Sequence, residues 1–327
     1  MKKRVFSGIQ PTGEIHIGRY LGAIKYWVAM QQDYDNIICV VDLHAITVPQ
    51  DPKLLKSRIR EFAGLLMAAG IDPERSILFV QSHVSAHSEL AWILNCFIPM
   101  GWMQRMTQFK EKSGKHKEQV SVGLFDYPSL MAADILLYKT DVVPVGEDQK
   151  QHVELARDAA QRFNNIYGEI FVLPEPIIPD IGARIMGLDD PTKKMSGSEM
   201  GAGHSIALLD SPDVIRSKIM RATTDSLKEI RFDESRPGIY NLLTIYHSFT
   251  GQAKKEIEVQ FTGKGYVDFK KALAEVVIDA LRPLQERYNA LSVEPGYIDA
   301  ILKEGADKAR PLADKMLAEV RKKVGLG

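Results

Sequence analysis

The chain has no excess of charge of either sign, because 42 Lys and Arg residues balance 42 Asp and Glu residues. This balance excludes a surface coated uniformly in basic charge, although binding a nucleic acid needs only a local basic patch. Cysteine is also scarce, since Cys39 and Cys96 are the only two and neither belongs to a CxxC pair. We therefore expect no zinc or iron–sulfur site made of cysteine, and we place both cysteines in the core.

Long apolar runs are absent as well. No stretch reaches the length of a membrane span, and the residues that follow Met1-Lys2-Lys3-Arg4 are too few and too polar for a signal peptide. These absences predict a cytoplasmic protein that has no membrane partner. The 327 residues, 45% of them hydrophobic, are enough for a large core and about two domains.

The first two hundred residues alternate short apolar runs with segments of helical periodicity. Strands are predicted at 5–9, 36–41, 77–80 and 141–145. Near-continuous apolar strands that are separated by helices are typical of a parallel sheet covered on both faces. The sequence therefore predicts an α/β fold for this part of the chain.

Beyond about residue 205 the strand signals fade. Apolar residues from Leu273 to Leu284 recur at helical spacing, which predicts a helical second domain. Two polar segments stand apart from this pattern. Residues 108–121 are rich in lysine and predict a loop or a frayed helix end, and residues 187–203 predict a loop.

The segment from Gly8 to Arg19 lies where the first strand turns into the first helix. In an open parallel sheet, ligands bind at the carboxyl ends of the strands, and a helix N-terminus there attracts phosphate. His16 can donate a hydrogen bond to a phosphate oxygen, and Gly18 lets a ring approach the backbone. Taken alone, a histidine at a helix start is as often an ordinary surface residue.

A second motif runs from Lys193 to Ser198 and reads Lys-Lys-Met-Ser-Gly-Ser. Glycine and small hydroxyl residues allow a loop to wrap a phosphate chain, and the lysines supply charge for a leaving pyrophosphate. By itself such a run is more often a solvated basic loop.

Together, His16-Ile17-Gly18 and Lys194-Met195-Ser196 resemble the two signatures of class I aminoacyl-tRNA synthetases, which flank the ATP triphosphate. Longer segments are similar to the tryptophan branch of that family. These segments are 7–13, 41–47, 106–112, 127–136, 145–152 and 182–186. The resemblance covers nearly the whole chain. It implies a Rossmann-like, doubly wound catalytic domain at 1–204 and a helical anticodon-binding domain at 205–327.

Asp134 is the candidate for amino-acid specificity. It interrupts an otherwise apolar helix, and a buried carboxylate needs a partner. The resemblance implies that Asp134 accepts the indole N–H of tryptophan, a bond that phenylalanine cannot make. The other residues that the resemblance implies for tryptophan are Phe6, Gln10, His44, Tyr127, Met131, Val143, Val145 and Gln149.

The resemblance also implies an ATP site and a two-step reaction. The catalytic residues would be His16, Lys112, Lys194 and Ser196. The ATP contacts would be Gln10, Pro11, Thr12, Gly18, Arg19, Gly146, Glu147, Asp148, Ile185, Lys194, Met195, Ser196, Gly197 and Ser198. Among them, the resemblance places 146–148 at the ribose, and Ile185 with the backbone near Met195 at the adenine. Tryptophan would attack the α-phosphorus of ATP, pyrophosphate would leave with Mg²⁺, and the adenylate would pass tryptophan to tRNA(Trp). The family is homodimeric, so we expect a homodimer.

Two positions depart from the family pattern. Gly197 stands where the family usually has a second lysine, and Arg19 stands where a neutral residue or a histidine is common. We hypothesise that Arg19 partly replaces the missing charge beside the pyrophosphate.

Three other interpretations stay open from the sequence alone. A tyrosyl-tRNA synthetase shares the fold and the ATP motifs, although the segments around His44, Lys110 and Asp134 favour tryptophan. A small nucleotidyltransferase uses a similar turn, but the long helical second part does not suit it. A non-catalytic paralogue that binds nucleotide or RNA is the third, and Gly197 gives it some weight.

Overall fold

In a computed structural model, residues 2–107, 121–178, 184–197, 203–227 and 229–327 are described. Within these residues, one parallel sheet contains the strands β1 (Arg4–Ile9), β2 (Asp35–Val40), β3 (Ser76–Val80), β4 (Val142–Pro144) and β5 (Glu175–Ile177). Their order is β3-β2-β1-β4-β5, and every neighbouring pair is parallel. The predicted α/β fold is confirmed.

The strand order reverses at β1, which pairs with β2 on one side and β4 on the other. A crevice at the carboxyl ends of the strands opens at such a reversal, and ligands of parallel sheets bind there. Gln10 directly follows β1 and Val145 directly follows β4, so both residues lie at this switch point.

Helices account for most of the remaining described residues. They are α1 (Ile17–Arg19), α2 (Lys25–Met30), α3 (Asp42–Ala45), α4 (Pro52–Ala69), α5 (Ala86–Asn95), α6 (Met100–Gln104), α7 (Val122–Leu136), α8 (Lys150–Tyr167), α9 (Pro212–Arg221), α10 (Pro237–Thr250), α11 (Lys254–Gln260), α12 (Tyr266–Ser292) and α13 (Pro295–Val324). A π-helix (Tyr20–Ile24) joins α1 to α2, and short 3₁₀ turns cover Gln81–His83 and Glu147–Gln149.

Local sequence explains where these helices begin and end. Asp51 caps α4 by accepting a hydrogen bond from the backbone N–H of Leu54 at 2.8 Å, and Pro52 occupies the first turn. Gly70 ends α4 in the left-handed conformation, with φ of 116°. Both ends of α4 are thus set by residues of the local sequence.

The chain packs into two compact units. The first comprises Met1–Pro11, Trp27–Pro179 and Glu294–Gly327, and the second comprises Thr12–Tyr26 and Asp180–Val293. The last helix, α13, therefore packs with the sheet, and Gly305 lets it approach the Leu78 carbonyl too closely for any side chain. The predicted boundary at 204/205 concerns binding roles as well as packing, and it stays a prediction.

The structure also places the two cysteines and contains a fifth strand that was not expected. Cys39 is buried in β2 as predicted, but the expectation for Cys96 is wrong, because this residue is exposed after the end of α5. Strand β5 was not predicted, because it has only three residues and two of them, Glu175 and Pro176, are unfavourable in strands. Among the described residues, no helix is both long and apolar enough to cross a membrane.

Candidate functional site

In the first unit, Asp134 lies 1% exposed on α7 and accepts three hydrogen bonds. Its Oδ2 atom lies 2.9 Å from Nε2 of His44. Its Oδ1 atom lies 2.6 Å from Nε2 of Gln81 and 2.6 Å from Nδ1 of His87. Burial raises the pKa of this carboxyl, but the bonds from the two histidines outweigh burial and lower the pKa to about 2. Asp134 is therefore an ionised acceptor at neutral pH.

Other residues expected to bind tryptophan surround this carboxylate. Gln10 donates through Nε2 to the His44 carbonyl at 3.1 Å. The rings of His44 and Tyr127 meet edge to face with centroids 6.2 Å apart. The Tyr127 hydroxyl lies 2.9 Å from Nε2 of His152, a residue that the motifs did not single out. The structure thus links Gln10, His44 and Asp134 by direct contacts.

The four apolar residues expected to line the indole pocket belong to one hydrophobic cluster. They are Phe6, Met131, Val143 and Val145. Two are buried within the cluster and two pack against it partly exposed. The same cluster contains Ala133 and Ile135, which flank Asp134 on α7. The predicted apolar wall and the carboxylate therefore share one region of the core.

The residues expected to hold the ribose form an exposed turn after β4. Gly146 precedes the 3₁₀ turn Glu147–Gln149, and its carbonyl accepts from the Gln149 backbone N–H at 2.9 Å. A Cβ at Gly146 would lie 2.7 Å from Oδ1 of Asp148, the end of an exposed side chain that can move aside. Gln149 also contacts Oδ2 of Asp148 at 3.4 Å. Pro11 is buried in the same unit.

The turn at His16 lies in the second unit, where backbone pairing holds it. The Ile17 N–H donates to the Ile206 carbonyl at 2.9 Å, and the Leu208 N–H donates to the Ile15 carbonyl at 2.8 Å. Thr12, half-buried, begins this unit. His16 is thus fixed on both sides of its position.

His16 caps the helix that follows it. Its Nδ1 atom accepts the backbone N–H of Arg19 at 3.3 Å, so the ring proton resides on Nε2. Burial lowers the pKa of His16 to about 3, with help from the charges of Arg19, Lys194 and His204. The imidazole is therefore neutral at physiological pH and offers one N–H donor.

Gly18 and Arg19 lie in α1, the short helix that His16 caps. A Cβ at Gly18 would lie 3.0 Å from Nδ1 of His16 and 3.4 Å from Cβ of Ile185, so glycine is the residue that fits without displacement. Burial lowers the pKa of Arg19, whose guanidinium nevertheless stays charged at neutral pH.

Backbone hydrogen bonds hold the base of the lysine loop, by which we mean residues 193–198. The Met195 N–H donates to the Ile185 carbonyl at 3.0 Å, and Met186 and Lys194 form an antiparallel bridge. Ile185 and Met195 are buried, whereas the Lys194 side chain is exposed. The two residues expected at the adenine are thus brought together, and Ser196 follows them half-buried.

Gly197 lies against the backbone of Glu14. A Cβ built at Gly197 would be 2.3 Å from the Glu14 carbonyl oxygen and 2.9 Å from its nitrogen. No side chain fits at this distance without a backbone shift. The glycine therefore removes a cation and also permits a close approach between the lysine loop and the turn before His16.

Sequence reasoning missed two groups of supporting residues. In the first unit, Gln81 and His87 hold Asp134, and the position of Gln81 directly after β3 was a usable signal. In the second unit, His204 is 1% exposed; its Nδ1 lies 2.6 Å from Oδ1 of Asp189, and its Nε2 lies 3.2 Å from the Lys194 carbonyl. Both partners are acceptors, so His204 links Asp189 to the backbone of the lysine loop.

Asn241 of α10 supports the same region of the second unit. Its side chain exchanges hydrogen bonds with the backbone of Met186, at 2.8 Å to the N–H and 2.9 Å to the carbonyl. This residue had no sequence signal beyond a polar residue within an apolar helix.

Two predicted residues, Lys112 and Ser198, lie outside the described residues, and their roles stay predictions. Within the described residues, no group of three or more His, Cys, Asp or Glu side chains is arranged to hold a metal ion.

Comparison with known proteins was made with the sequence and with the fold. A family profile described as class I tRNA synthetases (W and Y) matches residues 1–282. A tryptophan–tRNA ligase from Wolinella succinogenes is 60% identical over 326 residues, which cover 100% of this chain and 99% of the relative.

Two solved structures are similar to the whole chain. Tryptophanyl-tRNA synthetase from Mycoplasma pneumoniae has a TM-score of 0.92 and 37% identity, with 100% of this chain and 99% of that chain covered. The enzyme from Campylobacter jejuni, solved with ADP and tryptophan, has a TM-score of 0.86 and 38% identity, with 99% and 100% covered.

Proposed function

Because the chain belongs to the class I tRNA synthetases of the tryptophan and tyrosine group and joins tryptophan to its tRNA, we propose that Asp134 recognises the amino acid. We further propose that the His16 turn and the lysine loop hold ATP. The enzyme activates L-tryptophan with ATP and transfers it to tRNA(Trp). The tyrosine and non-catalytic alternatives are not favoured, since full-length relatives at 52–61% identity are tryptophan–tRNA ligases.

The buried, ionised carboxylate of Asp134 carries this proposal. An ionised carboxylate offers about four positions for donors, and protein side chains supply three of them at Asp134. An indole N–H is a single donor of the kind that completes this set. Phenylalanine would leave the position unpaired, and sites of this kind reject such an analogue by about 10⁴-fold.

The apolar residues of the same cluster suit the rest of the indole ring. We propose that Phe6, Met131, Val143 and Val145 contact it. Tyr127, Gln10 and Gln149 are proposed to meet the amino and carboxylate groups of tryptophan, with His44 shaping the pocket through its bond to Asp134.

For ATP, the proposed roles follow from donor chemistry. His16, neutral with its proton on Nε2, donates to a phosphate oxygen, where negative charge grows as the α-phosphorus is attacked. Lys194 and Ser196 meet the leaving pyrophosphate, and Arg19 supplies part of the charge that Gly197 lacks. No side chain acts as a nucleophile, so positioning and charge stabilisation perform the catalysis.

The remaining ATP contacts are proposed on the same basis. Exposed carboxylates such as Asp148 accept hydrogen bonds from ribose hydroxyls, and the turn from Gly146 to Asp148 presents them. Ile185 and the Met195 backbone are proposed to flank the adenine. The hydrogen bond from the Met195 N–H to the Ile185 carbonyl, 3.0 Å long, holds these two residues side by side. Pro11, Thr12 and Gly18 complete the contacts from the first turn, and Lys112 and Ser198 keep their predicted roles.

Mg²⁺ is proposed to arrive with ATP as part of the substrate. Magnesium retains several waters and binds readily to phosphate oxygens, so the residues that hold the phosphates would position the ion as well.

The partners beyond the small substrates are also proposals. A helical region at 205–327 is proposed to read the anticodon of tRNA(Trp). A homodimer is proposed as well, because the family that the sequence resembles is homodimeric. The cytoplasmic location expected from the sequence stays a prediction.

Exchange of pyrophosphate into ATP, measured with each of the twenty amino acids, tests the Asp134 assignment. The wild-type protein should respond to tryptophan, and Asp134→Asn should lose about a hundredfold or more of kcat/KM for tryptophan. Asp42→Asn is the matched control, because it also removes a buried carboxylate charge, one that accepts from Ser82. Equal losses in the two variants would refute the assignment.

A further inference from the structure

A chain of buried polar side chains extends beyond Asp134 into the core of the first unit. Gln81 and His87 both donate to Oδ1 of Asp134, and Nε2 of His87 lies 2.8 Å from the Tyr138 hydroxyl. Gln81, His87 and Tyr138 are all 0% exposed. Burying three polar side chains together is costly unless each bond is made, so this cluster requires an explanation.

In this network of buried side chains, the ionised carboxylate of Asp134 determines which groups donate to it. Because Asp134 is ionised and only accepts, Nδ1 of His87 carries a proton and donates. The other ring nitrogen of His87, Nε2, pairs with the Tyr138 hydroxyl. Burial raises the pKa of Tyr138, which keeps that hydroxyl protonated. The bond from His87 to Asp134 therefore has a fixed direction, and Tyr138 holds the opposite side of the imidazole.

The two oxygens of Asp134 are consequently unequal. Oδ1 receives two donors, from Gln81 and His87, whereas Oδ2 receives one, from His44, among the described residues. A carboxylate oxygen has two lone pairs. Oδ1 is therefore saturated by the protein, and a further donor is directed to Oδ2.

Aromatic packing around Tyr138 makes rigid the end of this side-chain network that lies farthest from Asp134. The Tyr138 ring stacks on Phe6 with centroids 5.8 Å apart and meets Phe79 edge to face at 5.9 Å. Phe79 also contacts the His87 ring, at 5.8 Å. Because Phe6 lies on β1 and Phe79 on β3, the sheet itself fixes the hydroxyl that orients His87.

We propose that Gln81, His87 and Tyr138 are specificity-determining positioning residues that occupy Oδ1 of Asp134 and direct Oδ2 to the indole N–H. The proposal rests on the function proposed above for Asp134. These three residues are fully buried and do not touch the substrate in this proposal. They contribute to the discrimination between rings that have an N–H and rings that lack one.

The test compares tryptophan with 3-benzothienylalanine, an analogue in which sulfur replaces the ring N–H. The ratio of kcat/KM for the two compounds in pyrophosphate exchange reports the N–H bond alone. His87→Leu should lower this ratio about tenfold or more, since a hydrogen bond to a charged group is lost. His87→Asn, whose amide mimics Nδ1 of histidine, should restore most of it. KM for ATP should stay unchanged in both.

Matched variants separate positioning from general damage. Tyr138→Phe keeps the stacked ring and removes only the hydroxyl, so the ratio should fall about threefold, or roughly half the free-energy effect of His87→Leu. Thr140→Val is the control, because Thr140 is buried two residues away and bonds only to the Ile135 carbonyl. It should lower the unfolding midpoint and leave the ratio unaltered.

The outcomes distinguish this proposal from the one on which it rests. If Asp134→Asn leaves the ratio at the wild-type value, the indole contact itself is wrong. If Asp134→Asn lowers it but His87→Leu and Tyr138→Phe do not, only the positioning role is overturned. Should His87→Leu fail to fold, ¹⁵N spectroscopy of the wild-type His87 ring decides, since the proposal requires a proton on Nδ1 and a shift on Nε2 in Tyr138→Phe.

Discussion

In the first unit, hydrogen bonds between side chains fix Asp134, whereas in the second unit hydrogen bonds between backbone groups fix the lysine loop. Asp134 has three side-chain donors within 2.9 Å and is 1% exposed. Lys194 is fixed by bonds to its backbone, and its side chain is exposed. A buried carboxylate has to be satisfied in advance, while a lysine that meets phosphate can keep its hydration until the substrate arrives.

The contrast indicates different tolerances to mutation. A change near Asp134 leaves buried polar groups unpaired and affects folding as well as recognition. A change in the Lys194 side chain should affect the rate and leave stability nearly untouched.

Lys194→Ala should lower kcat of pyrophosphate exchange by about 10²-fold, the size seen when one donor to a developing charge is removed. KM for tryptophan and the thermal midpoint should change little. Lys193→Ala serves as the control, since Lys193 is an exposed neighbour whose ammonium pairs with Asp190 at 3.3 Å. Comparable losses in both variants would show that loop charge, and not the position of Lys194, matters.

Gly197→Lys should lower the exchange rate by about tenfold, although it restores the lysine that the family usually has. Its Cβ would lie 2.3 Å from the Glu14 carbonyl, so the lysine loop has to withdraw from the turn before His16. Gly197→Ala isolates the steric part and should show most of the loss. A gain in rate for Gly197→Lys would show instead that charge outweighs the close approach.

Acid should destabilise the protein through two buried groups, His16 and Asp134, and the effect of His16 should begin at the higher pH. His16 has a folded pKa of about 3 against an ordinary value of about 6.5, so the unfolded state binds more protons and stability falls as pH drops from 6.5 towards 3. Asp134, with a folded pKa of about 2, loses its stabilising contribution only as pH falls below about 3.9. Urea unfolding at pH 7, 5 and 4 should show a shallower decline for His16→Gln than for wild type. Parallel curves would contradict the depressed pKa of His16.

The smallest effect is expected at Arg60 and Asp299, whose paired side chains join α4 to α13 at two distances of 2.7 Å. The side chains are 38% and 46% exposed, so the pair should contribute less than about 1 kcal/mol. Arg60→Ala should therefore leave exchange kinetics unchanged and lower the unfolding midpoint only slightly. A loss of activity would indicate coupling between α13 and the site that the account does not contain.

Much of the fold was predictable because its signals are local. Apolar runs marked β1 to β4. Strand β5 (Glu175–Ile177) was missed because a glutamate and a proline leave it a single β-branched residue, whereas β4 has two adjacent valines. Cys96 was placed wrongly because it lies just beyond the end of α5, where the scarcity of cysteine does not tell whether a residue is exposed.

The site was predictable in its main residues but not in their support. A carboxylate inside the apolar run around Asp134 signalled burial, and the resemblance supplied its expected partner on the substrate. Gln81 and His87 lie about fifty positions away in sequence, at 53 and 47 residues from Asp134, so only the folded sheet brings them together. The approach of Gly197 to Glu14 likewise depends on tertiary pairing that no local pattern encodes.

The bond between Asp134 and the indole nitrogen is the central claim, and tryptophan labelled with ¹⁵N at that nitrogen reports it directly. In the complex with wild-type protein, the indole proton should resonate well downfield of its value in free tryptophan and exchange slowly with water. In Asp134→Asn it should move back towards the free value. An indole proton that keeps its free shift and exchanges rapidly in the wild-type complex would contradict the account.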